Sequence, residues 1–176
     1  MRSACKPRHP VDAPKKSETS RGLALKAGFS IGSSAAVPMP CKAFMMEISA
    51  LVRRFYDDLW NRWDDESLDS VLAPDFQFRG SLGVETHGRD GWRQYRELVR
   101  TGSSDFFNDI QLLVVEGERA AARLNYSGTH TGPLAGLPPT GRRFSYAGAA
   151  FFSMRDEHLS TAWVLGDLSA LRGQLS

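Results

Sequence analysis

From Met45 onward the apolar residues fall into two successive rhythms. In "MMEISALVRRFYDDLWNRWDD", Ile48, Leu51, Val52, Phe55, Tyr56, Leu59, Trp60 and Trp63 keep the three-and-four spacing of a helix stripe. Arg53, Arg54, Asp57, Asp58 and Arg62 fill the opposite face. A long amphipathic helix of this kind has to lie on an apolar surface. "ESLDSVLAPDF" predicts a short second helix ended by Pro74, and "FQFRG" a short strand after it. "GRDGWRQYRELVRTG" predicts a third helix, with Asp90 as N-cap, an apolar face of Trp92, Tyr95 and Val99, and a stop near Gly102.

From Asp109 the period changes to that of strands. "DIQLLVVEGE", "RAAARLNYSGTHTG", "GRRFSYAGAAFFSM" and "EHLSTAWVLGD" are four such runs, and the turns "EGER" and "MRDEH" make neighbours antiparallel. Helices first and sheet after is the order of an α+β fold. "DLSALRGQL" adds a short closing helix. Between the second and third of these strands lies "GPLAGLPPTG", whose prolines at 133, 138 and 139 predict a stiff, shaped loop. Loops of that length without structure of their own tend to carry function.

Composition divides the chain. Residues 1–43 hold all five lysines, both cysteines and eight basic residues against two acidic ones, with no apolar period. That is the composition of a disordered segment. Residues 1–44 therefore read as an extension: a targeting peptide, an upstream reading of the start codon or an expression leftover. Residues 45–176 read as one domain, with 14 Arg, no Lys and 18 Asp plus Glu, a net formal charge of −4. The lack of Cys and Lys there removes disulfides, zinc–thiolate sites, a Cys nucleophile, Schiff-base chemistry and a P-loop lysine. An acidic domain with no basic stripe argues against nucleic acid, despite Arg142 and Arg143. No apolar run is long enough for a membrane span or a secretory signal, and a cytoplasmic location is expected.

The stretch "EGERAAARLNYSGTHTGPLAGLPPTGRRFSYAGAAFFSMRDEHLSTAWVLGDLSALRGQL" resembles the SnoaL-like polyketide cyclase (ester cyclase) family of the nuclear transport factor 2-like superfamily. The likeness rests on the order of "GTHTG", "GLPPTGRR", Gly148, and Trp163 followed four residues later by Asp167; upstream, "FYDDLWNRWDDESLDSVLAPDF" matches the family's opening. The resemblance implies a cone-shaped α+β barrel, a curved antiparallel sheet around a long helix with an apolar pocket open at one end. It also implies a homodimer through the outer face of the sheet. The implied chemistry is an intramolecular aldol closure of a hydrophobic carbonyl compound without metal or cofactor, an acidic side chain moving the proton.

Asp167 is the candidate base, since a carboxylate against an apolar pocket is poorly solvated and becomes more basic. It stands equally well as N-cap of the closing helix. His130, at the strand end feeding the loop, is either a proton carrier that steadies an enolate or a loop histidine bonded to the backbone. His87 and His158 read as exposed, and none of these three histidines has metal-ligand spacing with an acid. Trp163, Tyr126 and Trp92 are expected to line the pocket, with Phe151 and Tyr56 as further substrate contacts. Arg123 is either a solvated outer residue or a charge at the pocket wall. The chain departs from the family pattern at Ala150 and at Thr161-Ala162-Trp163, where relatives often carry polar groups. That departure leaves open a hydrophobic-ligand-binding or dimeric interaction module without chemistry, or another reaction on the same fold such as isomerisation or dehydration.

Overall fold

The computed structural model describes residues 41–176. The reading of residues 1–44 as an extension therefore lies outside the described residues over 1–40. Helix α1 spans Cys41–Arg54 and continues as a π-helical segment, Phe55–Asn61, whose four apolar side chains Phe55, Tyr56, Leu59 and Trp60 are all buried. The single long α-helix expected here is corrected in that respect: wider i→i+5 winding, a feature frequent at functional sites, takes over at Phe55. The segment stops at Trp63, which adopts a left-handed φ of 58°.

Helix α2 is a single turn, Leu68–Val71. It ends before Pro74, because Leu72 already begins strand β1 (Leu72–Arg79). Strand β2 (Glu85–His87) pairs antiparallel with β1. Helix α3 spans Gly88–Gly102 and buries Trp92, Tyr95, Arg96 and Val99. Asp90 is not its cap: the N-cap position is His87, and the Asp90 carboxylate accepts from Arg93 at 2.9 Å. Strands β3 (Phe107–Glu116), β4 (Arg119–Thr129), β5 (Arg143–Arg155) and β6 (His158–Gly166) follow, and helix α4 (Leu168–Leu175) closes the chain.

The six strands form one mixed sheet in the order β2-β1-β6-β5-β4-β3, antiparallel except for β1 against β6. The sequence shows five of these strands, β1 among them through "FQFRG", and the α+β class. It does not show β2, nor that β1 and β2 extend the sheet past β6. Register shifts interrupt three strand pairs, at Leu72/Gln77, Ile110/Leu112 and Ser153/Met154. Such irregularities bend a strand and increase its twist. The sheet is curved enough for α1 to touch β3, β4, β5 and β6, yet it stays unclosed, with β2 and β3 as its edges.

Alternation along the strands sorts the side chains. Ala122, Leu124 and Tyr126 of β4, Tyr146, Ala150 and Phe152 of β5, and Ala162 and Val164 of β6 are buried on the concave face. Their neighbours point outward, and the register aligns Val114, Ala121, Phe151 and Trp163 in one row across four strands of the convex face. At the core's centre, the Phe55 ring lies between about 5 and 6.5 Å from Tyr56, Trp60, Phe76, Phe78, Trp92 and Phe152.

Arg96 is a charged member of this interior. Its Nη1 donates to the Leu59 carbonyl at 3.0 Å and its Nη2 to Asp65 at 2.6 Å, while the guanidinium lies over the rings of Trp92 and Trp63. The contact locks the π-helical segment to α3. A reciprocal pair does the same toward β3: Asn61 donates to the Asn108 carbonyl and accepts from the Asn108 N–H, both at 2.9 Å.

Candidate active site

The concave face and the helices that cover it leave one narrow interior cavity. Its lining includes Tyr56, Tyr95, Tyr126 and Tyr146, which are all the tyrosines of the chain. They arrive from four different elements: the π-helical segment, α3, β4 and β5. Ser81 and Asn108 are the other polar members, and Phe55, Trp60, Phe78, Phe106, Val99, Val164, Leu82 and Leu134 complete the wall. About 400 Å3 there is unfilled by atoms, but only about 20 Å3 is open to the centre of a water-sized occupant. That is room for about one water.

Glycines shape three of the four tyrosine seats. A Cβ on Gly80 would come within 2.1 Å of the Tyr95 ring, one on Gly148 within 2.2 Å of Tyr126, and one on Gly166 within 2.8 Å of Tyr146. No side chain fits at those distances, so each ring rests directly on backbone. The rings also support one another, with Tyr126 and Tyr146 centroids 5.1 Å apart and Tyr126 stacked 5.9 Å from Phe106.

Burial sets the protonation state of these phenols. It pushes Tyr56 well above the usual tyrosine range, and the neighbouring Tyr126 adds to the shift. Burial likewise raises Tyr126, helped by Tyr146, and raises Tyr146 despite the opposing Ser81 hydroxyl. Tyr95 is raised by burial and partly relieved by the Leu82 N–H, which donates to its oxygen at 3.5 Å. All four are therefore neutral O–H groups near pH 7. The Tyr56 and Tyr126 hydroxyls lie close enough to couple as a weak mutual hydrogen bond, and among the described residues neither has a partner of regular geometry. Two buried donors so weakly satisfied are a costly arrangement that a ligand oxygen would relieve.

Outside the cavity, a groove of about 440 Å3 shares Leu82 and Leu134 with it, so these two side chains stand between the inner space and the mouth. Pro133, Ala135 and Gly136 of the loop, Leu98 of α3, and Leu168 and Arg172 of α4 form the remaining wall. The loop is shaped, as its prolines predict. Leu134 and Leu137 exchange backbone hydrogen bonds of 3.1 and 2.9 Å around a tight turn, with Ala135 and Gly136 at left-handed φ values of 52° and 79°. An alanine in that region costs about 1–2 kcal/mol. The base of the loop is anchored: the Thr131 and Gly132 N–H groups donate to the Gly102 carbonyl at 3.0 Å, and His130 bonds across to Arg142 and Gly141.

The structure separates the residues that the sequence groups together. Tyr56 and Tyr126 line the cavity. Trp92 does not: it is fully buried in the aromatic core against Phe55 and Trp60. Phe151 and Trp163 also lie elsewhere, because alternation turns Phe152 and Val164 inward and leaves these two side by side on the convex face, their rings tilted at 45° with centroids 5.9 Å apart. Arg123 is exposed on that outer face as well. Asp167 is exposed and caps α4, its Oδ1 accepting from the Ala170 N–H at 2.9 Å. It directly precedes Leu168 of the groove but does not line the cavity. His130 is fully buried, with Nδ1 3.1 Å from the Thr140 hydroxyl and Nε2 unpartnered, and it too stands outside the lining. Among the described residues no group of three or more His, Cys, Asp or Glu side chains is placed to hold a metal ion.

Tyr95, Tyr146 and Ser81 escape a reading of the sequence. The available signal is the glycine set, since Gly148 and Gly166 interrupt strand runs, and an interior strand glycine marks close approach.

The profile of the family described as SnoaL-like polyketide cyclase matches residues 50–175. Among solved structures, the fold is similar to TsrD from Streptomyces laurentii, with 30% identity, 74% of this chain and 96% of that one covered, and a TM-score of 0.66. IdmH from Streptomyces antibioticus is similar at 26% identity over 72% and 96% of the two chains, with a TM-score of 0.64. A SnoaL-like polyketide cyclase from Agrobacterium tumefaciens shares the fold at 21% identity, 73% and 98% coverage and a TM-score of 0.64. No curated protein gives a significant match.

Proposed function

Because this chain belongs to the SnoaL-like polyketide cyclase family, we propose that it is a cyclase-type enzyme closing a ring in a hydrophobic carbonyl compound, without a cofactor. The observation that carries this reading is the convergence of four neutral tyrosine hydroxyls on one apolar cavity, two of them with no regular hydrogen bond among the described residues. Donors fixed in a dry site stabilise negative charge as it develops on oxygen. A carbonyl oxygen that takes the place of the one water the cavity has room for accepts from Tyr56 and Tyr126, with the body of the molecule in the groove beyond Leu82 and Leu134. Loss of an α-proton then places charge on that oxygen, the α-carbon attacks a second carbonyl of the same molecule, and the new alkoxide takes up a proton.

The tyrosines bind and polarise; as neutral phenols they do not remove the proton. That step is assigned to Asp167, which stands next to the groove-lining Leu168 and keeps Oδ2 outside the cap bond. Pairing of two copies through the convex face is part of the same proposal, supported by the exposed row of Val114, Phe151 and Trp163.

A second reading, a hydrophobic-ligand-binding module, is favoured by one observation: no carboxylate or imidazole lines the cavity, and Ala150 and Ala162 are buried on the concave face where relatives often carry polar groups. Deuterium exchange at the α-carbon of 1-tetralone, followed by NMR, separates the two. A cyclase-type site accelerates exchange, and Tyr126→Phe or Asp167→Asn slows it, the former by on the order of 10²-fold. Tetralone that binds but exchanges at the buffer rate would establish the binding module instead.

A further inference from the structure

The groove at the mouth has one charged side chain in its wall. Arg172 reaches it from the last turn of α4, among Leu82, Leu98, Pro133, Leu134 and Leu168. Among the described residues its guanidinium has no ion-pair or hydrogen-bond partner. Arg54, Arg62, Arg89, Arg93, Arg96 and Arg155 each hold a carboxylate; among the described residues Arg53, Arg119, Arg123, Arg142 and Arg143 hold no side-chain carboxylate, but none of these lines the groove beside the cavity. Arg172 is exposed to solvent, and its guanidinium at the edge of the apolar walls presents a fork of donors that matches a carboxylate.

We infer that Arg172 is a specificity-determining residue, holding at the mouth the carboxylate of an apolar acid whose carbonyl-bearing end points past Leu82 and Leu134 toward the tyrosine hydroxyls. The inference rests on the cavity being the ligand site. The order of groups along the ligand follows from the order of the walls: one cation outside, two leucines between, neutral oxygen donors inside. The domain's net acidic charge opposes an anion in general, so a preference for an acid has to come from a local cation.

The test uses 3-(2-naphthoyl)propionic acid and its methyl ester, which share shape and ketone and differ in charge. Their affinities are measured at low salt by quenching of tryptophan fluorescence and by calorimetry. The expected result is an acid that binds about fivefold or more tightly than the ester, as a charge-assisted pair provides. Arg172→Gln erases that preference by weakening the acid more than the ester, and Arg172→Lys restores part of it. An ester that binds the unaltered protein as tightly as the acid overturns the role of Arg172 and leaves the cavity reading intact. So does an acid preference that survives Arg172→Gln. Failure of both compounds to bind, in the unaltered protein and in Leu134→Ala, overturns the cavity reading and this inference together.

Discussion

Replacement of Gly148 by alanine tests the tyrosine cavity from its foundation. The added Cβ would stand 2.2 Å from Cε2 and 2.9 Å from Cζ of Tyr126, and 2.7 Å from the Leu165 carbonyl oxygen, where ordinary contact begins near 3.4 Å. The ring has to retreat by more than 1 Å relative to that contact distance. It is confined by Tyr146 on one side and Phe106 on the other, and the Leu165 oxygen belongs to a strand paired in register with β5. Overpacking of this kind costs about 1–3 kcal/mol. In a domain of this size that lowers Tm by about 5–15 °C. Denaturant unfolding and thermal melts of Gly148→Ala, Tyr126→Ala and the double variant form the assay. Removing the ring relieves part of the clash, so the double variant should be more stable than the sum of the single effects by about 1 kcal/mol or more. Strict additivity, or a Gly148→Ala protein as stable as its parent, would refute the claim that this glycine exists to seat Tyr126.

Three further outcomes follow from the same geometry. Arg96→Leu leaves the Leu59 carbonyl unpaired and frees Asp65, and should destabilise by about 2–4 kcal/mol in urea unfolding; a loss below about 1 kcal/mol would show that the π-helical segment holds without it. Burial pushes the Asp105 carboxyl upward, but hydrogen bonds from the Thr129 N–H and hydroxyl and from Ser103 outweigh it and hold the pKa below its ordinary value. Its stabilising contribution is then complete above the unfolded value of about 3.9 and is lost as pH falls through the folded one, so Asp105→Asn should flatten Tm against pH below about pH 4. Asp75, held down by Arg155, keeps part of the slope, and identical wild-type and variant profiles would count against Asp105. Phe151→Glu on the convex face should convert a dimer to a monomer in sedimentation without lowering tetralone binding; an unchanged sedimentation coefficient would remove that face from the assembly.

The sequence announces elements wherever one period persists. The stripe from Ile48 to Trp63, the Trp92–Tyr95–Val99 face and the alternation of β3 to β6 all emerge at the places expected. Shorter features have no period to show. Three residues of β2 cannot alternate enough to be seen, and Pro74 reads as a helix stop although β1 absorbs it where the pairing with β6 is interrupted. The π-helical winding keeps the same apolar residues as an α-helix would. Side-chain convergence is harder still. Tyr126 and Trp163 look alike in sequence, each an aromatic in an alternating strand, and only the phase relative to Leu124 and Val164 decides which one faces inward. Asp167 satisfies two descriptions at once, and its cap bond is the one expressed in the folded chain.

The parallel pairing of β1 with β6 also governs the order in which the chain can fold. Phe78 lies beside Ala162, so a strand made early waits for one made 84 residues later. Until β6 leaves the ribosome, β1 can pair only with the three residues of β2, and the apolar face of Phe76 and Phe78 has no sheet to complete. Loop-closure entropy favours the local β3–β4 hairpin early and the pairing of β1 with β6 late. During synthesis Phe76 and Phe78 are then exposed longer than the side chains of the strands that pair locally, and this segment is the expected point of engagement for a chaperone.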